Sequence, residues 1–228
     1  MIKAILWDID GTLLNFEKAE SYAIKKCFST FSIGKCTDEM VERYANINKK
    51  YWEKLESGTM TKNEILHRRF QEFFQREGIN FPNVDGFNKE YQVCLGDNVF
   101  FNDNGLELVT RLKGKVKQYA VTNGTYVAQK RKLEKSGLNK IFDDVFISDL
   151  IGVEKPNIEF FQYVWEHIGK YNKDEIVIVG DSLSSDMQGG NNANILCCWY
   201  NPNHEKNTKN IRIDMEIDDL KQIEKLLV

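Results

Sequence analysis

The amino-acid sequence predicts an α/β fold: an open parallel sheet flanked by helices, with a small all-helical insert after the first strand. Three observations carry this reading. Apolar runs of strand length recur along the chain. Helix-length amphipathic segments separate the later runs. One long stretch, 16–98, contains no convincing strand.

The strand candidates are IKAILW (2–7), KQYAVT (117–122), DVFIS (144–148), EIVIVG (175–180) and ILCCWY (195–200). None alternates with polar residues, which is the pattern of strands buried on both faces of a parallel sheet. Parallel neighbours need crossover connections. Helical periodicity supplies them at 105–113, at 125–136 before Gly137, and at 157–168 before Gly169. Within the insert, 38–56 and 62–77 combine helical periodicity with good helix formers. The predicted organisation is a core of residues 1–15 and 99–228 and a helical domain of residues 16–98, with the chain returning to the core near 96–104.

Composition narrows the function. The 228 residues are 42% hydrophobic and 29% charged, with a formal net charge of -3. That is an ordinary soluble globular balance, and it argues against a binder of nucleic acid polymers, which presents a basic surface. No apolar run approaches the roughly 20 residues that span a bilayer. The start, MIKAILWDID, is broken by acids too early for a signal peptide. The five cysteines (Cys27, Cys36, Cys94, Cys197, Cys198) show no C-x-x-C spacing. They read as buried thiols in a reducing cytoplasm rather than disulfides or zinc ligands.

Ligands of open parallel sheets bind at the carboxyl ends of the strands, and this chain gathers its polar residues there. The first strand ends in Asp8 and Asp10, and the second in Thr122, Asn123 and Gly124. The fourth ends in Gly180, Asp181 and Ser182, with Asp186 one turn on. Glu154-Lys155-Pro156 opens a helix between the third and fourth strands. Clustered carboxylates repel and are costly to desolvate. A hard cation offsets both costs, and Asp8, Asp181 and Asp186 offer the oxygen ligands that suit Mg²⁺. Residues two apart on a strand point the same way, so Asp8 and Asp10 are expected to face one cleft, one attacking and the other moving a proton. Gly11 permits a sharp turn. The Thr122 hydroxyl and the Lys155 charge would neutralise a phosphoryl group.

Each fragment has a bland reading of its own. D-x-D-G-T and T-N-G are common turns, Lys-Pro suits the first position of a helix, and Gly-Asp-Ser followed by an acid suits a loop and an N-cap. The argument rests on all four occurring in order, each after an apolar run.

In that order the four segments resemble the haloacid dehalogenase-like (HAD) hydrolase superfamily, over nearly the whole chain. ILWDIDGTLL matches its first motif, AVTNG the second, GVEKPN the third and IVIVGDSLSSDMQGG the fourth. The resemblance implies a Rossmann-like HAD core with a helical cap at 16–98 that closes over the site. It implies that Asp8 is a nucleophile forming an aspartyl-phosphate, and that Asp10 protonates the leaving oxygen and then activates water. Thr122 and Lys155, with Asn123 beside them, would hold the phosphoryl group. Asp181, Asp8 and the backbone carbonyl of Asp10 would bind Mg²⁺, with Asp186 supporting them. Members acting on haloacids lack the second acid of the first motif, so Asp10 favours phosphate chemistry. The family's N-A-G after the fourth motif is Asn192-Ala193-Asn194 here, and asparagine is the best non-glycine residue for a left-handed helix end.

Among family branches, VTNG, GVEKPNIEFFQY and GDSLSSDMQGGNNANI look most like pyrimidine-type 5′-nucleotidases. The expected activity is therefore hydrolysis of pyrimidine nucleoside monophosphates, by a cytoplasmic monomer or homodimer acting on a small metabolite. The alternatives are a sugar-phosphate phosphatase or phosphomutase of the same fold, and a non-catalytic binding module. The intact Asp8, Asp10, Lys155 and Asp181 set speaks against the last. Most of the insert's rings, Phe16, Tyr22, Tyr44, Tyr51, Trp52, Phe70, Phe73 and Phe74, are expected to pack between helices.

Overall fold

Six parallel strands form one sheet: β1 (Ala4–Trp7), β2 (Lys117–Thr122), β3 (Asp144–Ile147), β4 (Ile176–Gly180), β5 (Leu196–Tyr200) and β6 (Met215–Ile217), in the spatial order β3-β2-β1-β4-β5-β6. The structure, a computed structural model, describes residues 1–227. Strand β1 is central. Its Leu6 pairs in register with Tyr119 of β2 on one side and Ile178 of β4 on the other. From β1 the chain winds outward first through β2 and β3, then through β4 to β6. The crevice where winding reverses lies at the carboxyl ends of β1 and β4.

Burial explains the unbroken apolar runs. Ile5 and Trp7 of β1 enter one core, with Leu108, Val109 and Leu133. Ala4 and Leu6 enter a second core on the opposite face, with Phe160, Phe161 and Val164. The covering helices are α5 (Gly105–Leu112) and α6 (Tyr126–Ser136) on the first face, and α8 (Ile158–His167) and α9 (Gln188–Asn192) on the second; the short α7 (Ser148–Ile151) follows β3.

Between β1 and α5 the chain forms four helices: α1 (Phe16–Thr30), α2 (Asp38–Glu56), α3 (Lys62–Arg76) and α4 (Val84–Asp97). Thr37 caps α2, and Thr61 with Glu64 forms a capping box on α3. These helices share a core of their own, dominated by Phe28, Phe70, Phe73, Phe74, Phe87, Tyr44 and Tyr91. Phe70 stacks on Tyr44 and meets Phe87 edge-on, each at 5.0 Å between ring centroids. So Tyr44, Phe70, Phe73 and Phe74 do pack between helices, while Tyr51 donates to Glu72 at 2.9 Å. The two strands of chain that join this bundle to the sheet run side by side. The Asn15 N–H donates to Phe100 O at 2.7 Å, and Asn102 Nδ2 reaches back to the carbonyls of Gly11 and Thr12.

Along the sheet and its connections the structure departs from the sequence reading in two places. Strand β6 was not anticipated: three residues, Met-Glu-Ile, are too few to show a pattern. Pro156 does not open a helix. The Lys155–Pro156 peptide is cis, and α8 starts at Ile158. The segment after Asp181 is a π-helical turn, Leu183–Met187, N-capped by Ser182, whose hydroxyl accepts the Ser185 N–H at 3.1 Å. Asn194 has φ of 55°, the left-handed conformation anticipated for it, and the Ile195 N–H closes the turn onto Gly190 O at 3.0 Å. All five cysteines are free and buried.

Candidate active site

The crevice at the carboxyl ends of β1 and β4 holds the acids. Asp8 follows β1 directly and Asp181 follows β4 directly. Asp186 returns to them from the π-helical turn, a geometry that widens the helix and is frequent at functional sites. Each of the three offers a carboxylate oxygen, and these oxygens lie within 4.8 Å of one another. Gly11 makes the cluster possible. Its φ is 93°, and a Cβ there would stand 2.4 Å from Asp181 Oδ2.

One ammonium sits among the acids. Lys155 Nζ donates to Asp8 Oδ1 at 2.8 Å, to Asp186 Oδ1 at 2.6 Å and to the Val121 carbonyl at 2.7 Å. Lys155 and Asp186 are each 1% exposed and Asp8 is 7% exposed. Burial works against the lysine's charge, but the two carboxylates overcome it and hold the ammonium above its ordinary pKa. For Asp8 the balance goes the other way. Burial, with the Asp186 charge beside it, pushes the carboxyl up to about 7 in spite of Lys155. Thr12 Oγ1 lies 3.1 Å from both Asp8 Oδ2 and Asp181 Oδ1 and accepts the Asp181 N–H at 3.1 Å, tying the two strand ends together.

These carboxylates fit a hard divalent cation. Three negative groups face one ammonium, the donors are all oxygen, and Asp181 is exposed while its companions are buried. The carboxylate of Asp10 lies outside this three-acid cluster. The strand ends at Trp7, before either acid, yet the Asp10 charge still acts on Asp8. Asp10 Oδ1 takes a hydrogen bond from Lys132 Nζ at 2.5 Å and its Oδ2 one from Gln129 Nε2 at 2.6 Å, both on α6.

Thr122 is buried at the end of β2, where its Oγ1 accepts the Gly124 N–H at 3.1 Å. The side chain of Asn123, expected at the phosphoryl group, is engaged elsewhere. Its Oδ1 accepts the Lys155 N–H at 2.9 Å, and its Nδ2 donates to the Lys155 carbonyl at 2.8 Å and to Ser185 Oγ at 3.1 Å. Asn123 thus clamps the backbone that carries Lys155.

Thr12, Gln129 and Lys132 were not singled out by the sequence reading. A signal existed for the last two. They share the buried face of α6 with Ala128 and Leu133, where an amphipathic helix would place apolar residues. Two further contacts join the helical bundle to this edge of the sheet. Glu56 Oε2 accepts from Ser184 Oγ at 2.6 Å, and Lys62 Nζ reaches Ser148 Oγ at 2.7 Å and Glu154 Oε1 at 3.1 Å.

A family model described as haloacid dehalogenase-like hydrolase matches residues 2–194. The chain belongs to this family. It is a hydrolase by that membership, and the six-stranded parallel sheet and its flanking helices are the HAD fold. Among relatives in the family, the HAD-hydrolase YfnB of Bacillus subtilis is 33% identical over 227 residues, covering 99% of this chain and 95% of that protein. The crystal structure of YfnB bound to magnesium superposes with a TM-score of 0.93 at 32% identity, covering 99% of this chain and 98% of that one, and is described as revealing interdomain movement. The pyrimidine 5′-nucleotidase PynA of Streptococcus pneumoniae is 33% identical over 90% of this chain and 86% of its own length. The pyrimidine 5′-nucleotidase YjjG of Escherichia coli is 28% identical over 98% of this chain and 96% of its own. Among the described residues no helix is long and apolar enough to cross a membrane.

Proposed function

We propose that the protein is a Mg²⁺-dependent phosphatase of small phosphorylated metabolites, working through an aspartyl-phosphate on Asp8, with pyrimidine nucleoside 5′-monophosphates as its preferred substrates. The observation that carries the reading is the separation of two carboxylates into two environments. Asp8 stands among acids against Lys155, whereas Asp10 is held apart by Gln129 and Lys132. Two carboxyl groups in different surroundings can take two different roles.

Asp8, Asp181 and the backbone carbonyl of Asp10 would hold the Mg²⁺, with Asp186 keeping Lys155 and the loop in place. When bound, the cation draws negative charge from the phosphoryl oxygens and keeps Asp8 ionised beside them. An Asp8 oxygen attacks phosphorus while the bond to the leaving oxygen breaks, and Asp10 hands its proton to that oxygen. Asp10, now a carboxylate, takes a proton from water. The water oxygen attacks phosphorus, the Asp8–phosphorus bond breaks, and phosphate leaves with Asp8 and Asp10 restored. Lys155 and the Thr122 hydroxyl neutralise the transferring group. Asn123 serves beside them by fixing the backbone of Lys155.

We take residues 16–98 as the cap. Its contacts through Glu56 and Lys62 fall beside Ser184 and Glu154, next to the proposed site, so its closure would exclude water and choose the leaving group. The relatives PynA and YjjG support the nucleotide preference. The test is phosphate release from a panel of about fifty phosphorylated metabolites in Mg²⁺, with isomerised product assayed in parallel. Isomer without free phosphate would instead indicate a phosphomutase.

A further inference from the structure

The geometry points to Gln129 and Lys132 as positioning residues that set the orientation of the Asp10 carboxyl for proton transfer, an inference that rests on the phosphatase reading above. Both lie on the face of α6 turned to the β1 turn, three residues apart and so neighbours on one helix face. Lys132 donates to one Asp10 oxygen and Gln129 to the other. A carboxyl group gripped at both oxygens has its plane fixed, while each oxygen keeps a lone pair for a reacting partner.

Packing economy does not explain these residues. Lys132 is 1% exposed, and its ammonium ends against Asp10 with the Phe16 ring 5.3 Å away. A buried amine is costly to desolvate, and an apolar residue would fill the same space without that cost. Gln129 is fully buried and its Oε1 has no hydrogen-bond partner. A side chain selected for stability alone would not leave a buried acceptor unmet. Turning the amide over would face Oε1 to the Asp10 carboxylate, so the donor contact fixes which way it points. The surroundings are cut to fit it as well: a Cβ on Gly124 would lie 2.1 Å from Gln129 Nε2. The glycine of the second motif therefore leaves room for the group that holds the acid of the first.

Helix α6 is itself anchored where the helical bundle returns to the sheet. Arg131 and Lys135, on another face, both donate to Asp97 Oδ1, at 2.5 and 2.6 Å, and Thr125 at the helix start donates to Gln92 of α4 at 2.7 Å. The helix that orients Asp10 thus has a fixed seat of its own.

The test uses the requirement for acid catalysis as its readout. A nucleoside 5′-monophosphate expels an alkoxide and needs a well-placed proton, whereas p-nitrophenyl phosphate expels a stable phenolate and needs little help. Lys132→Met, Lys132→Arg and Gln129→Leu are compared with wild type and Asp10→Asn for kcat/KM on UMP and on p-nitrophenyl phosphate in Mg²⁺. Lys132→Met and Gln129→Leu are expected to lose about tenfold more on UMP than on the aryl ester, in the same sense as Asp10→Asn, with Lys132→Arg recovering most of the loss. A purely structural role would lower both substrates alike. Equal losses, no loss, or a gain on UMP overturn the inference while leaving the phosphatase reading intact. Absence of wild-type turnover on both esters removes the phosphatase reading and this inference with it. If Lys132→Met does not fold, the Gln129→Leu and Lys132→Arg pair decides by the same ratio.

Discussion

The Lys155 ammonium stands 2.8 Å from Asp8 Oδ1, and both groups are buried. Removing one member of a buried ion pair leaves an uncompensated charge, at a cost of about 3–5 kcal/mol. Lys155→Met is therefore expected to lower stability by about that much at neutral pH and to abolish phosphate release. Urea unfolding and an activity assay check the two parts. A variant that melts like wild type would show that Asp8 and Asp186 do not depend on the lysine.

Asp8→Asn is nearly isosteric and removes one charge from a crowd of acids. Burial already pushes this carboxyl up to about 7, so neutralising it relieves strain rather than creating it. The expected result is a fold at least as stable as wild type, measured in EDTA, with turnover lower by several orders of magnitude. Wild-type activity in this variant would remove Asp8 from the mechanism.

The metal requirement has its own test. EDTA is expected to silence the enzyme and Mg²⁺ to restore it, with Asp181→Ala raising the Mg²⁺ concentration required or abolishing activity. Ca²⁺ should inhibit, because it takes more ligands at longer bonds than a compact site suited to Mg²⁺. Full turnover in excess EDTA would end the metal-dependent reading.

A pH effect is expected from the helical bundle. Glu20 is buried in its core, where Oε1 accepts from Asn48 Nδ2 at 2.7 Å, and Asn48 in turn accepts from Arg69 at 2.8 Å. Burial pushes the Glu20 carboxyl up to about 7, from an ordinary value of 4.5. The folded state thus holds this proton more tightly than the unfolded chain does. The contribution to stability is complete below about pH 4.5 and is lost as pH rises to 7, at about 1.4 kcal/mol per unit and about 3 kcal/mol at most. Glu20→Gln should flatten that part of the profile. Urea midpoints at pH 5 and pH 8 for both proteins measure it. Parallel profiles would show that Glu20 titrates normally.

Much of this was legible in the sequence because the sheet is parallel. Strands buried on both faces write themselves as apolar runs such as AILW and IVIVG, and the functional residues must follow them at the carboxyl ends. Strand β6 was not legible, since three edge residues hold no period. The surroundings of Asp10 were not legible either. Alternation along β1 predicts that Asp10 follows Asp8 into one cleft, but it says nothing of what holds Asp10 there, and those partners come from α6, far away in sequence. The helical periodicity of 125–136 revealed the helix without the direction its Gln129 and Lys132 would face. The partners of Asn123 were not legible for a related reason: residue type suggested a phosphate contact but not the bonds its side chain makes to the Lys155 backbone.

The last prediction concerns the leaving group. Of the rings in the insert, Tyr44, Phe70, Phe73 and Phe74 pack in the bundle core, as expected of most of them. Phe16 packs against the edge of that core and is only partly buried. It begins α1, and Lys132, which holds Asp10, lies 5.3 Å from its ring centre. A ring beside the proposed proton donor is well placed to lie against a flat nucleobase, a contact worth roughly 1–3 kcal/mol in binders of single-stranded nucleic acid. A hexose phosphate presents hydroxyls and would gain little from it. UMP and dTMP are therefore expected to exceed glucose 6-phosphate and phosphoglycolate in kcat/KM at equal Mg²⁺. Phe16→Ala should narrow that gap while hydrolysis continues to require Asp8, because in the proposed function the bundle meets the leaving group and the sheet edge performs the transfer. If either non-nucleotide leads by tenfold, about 1.4 kcal/mol of transition-state binding, the nucleotidase reading falls and the phosphatase reading remains.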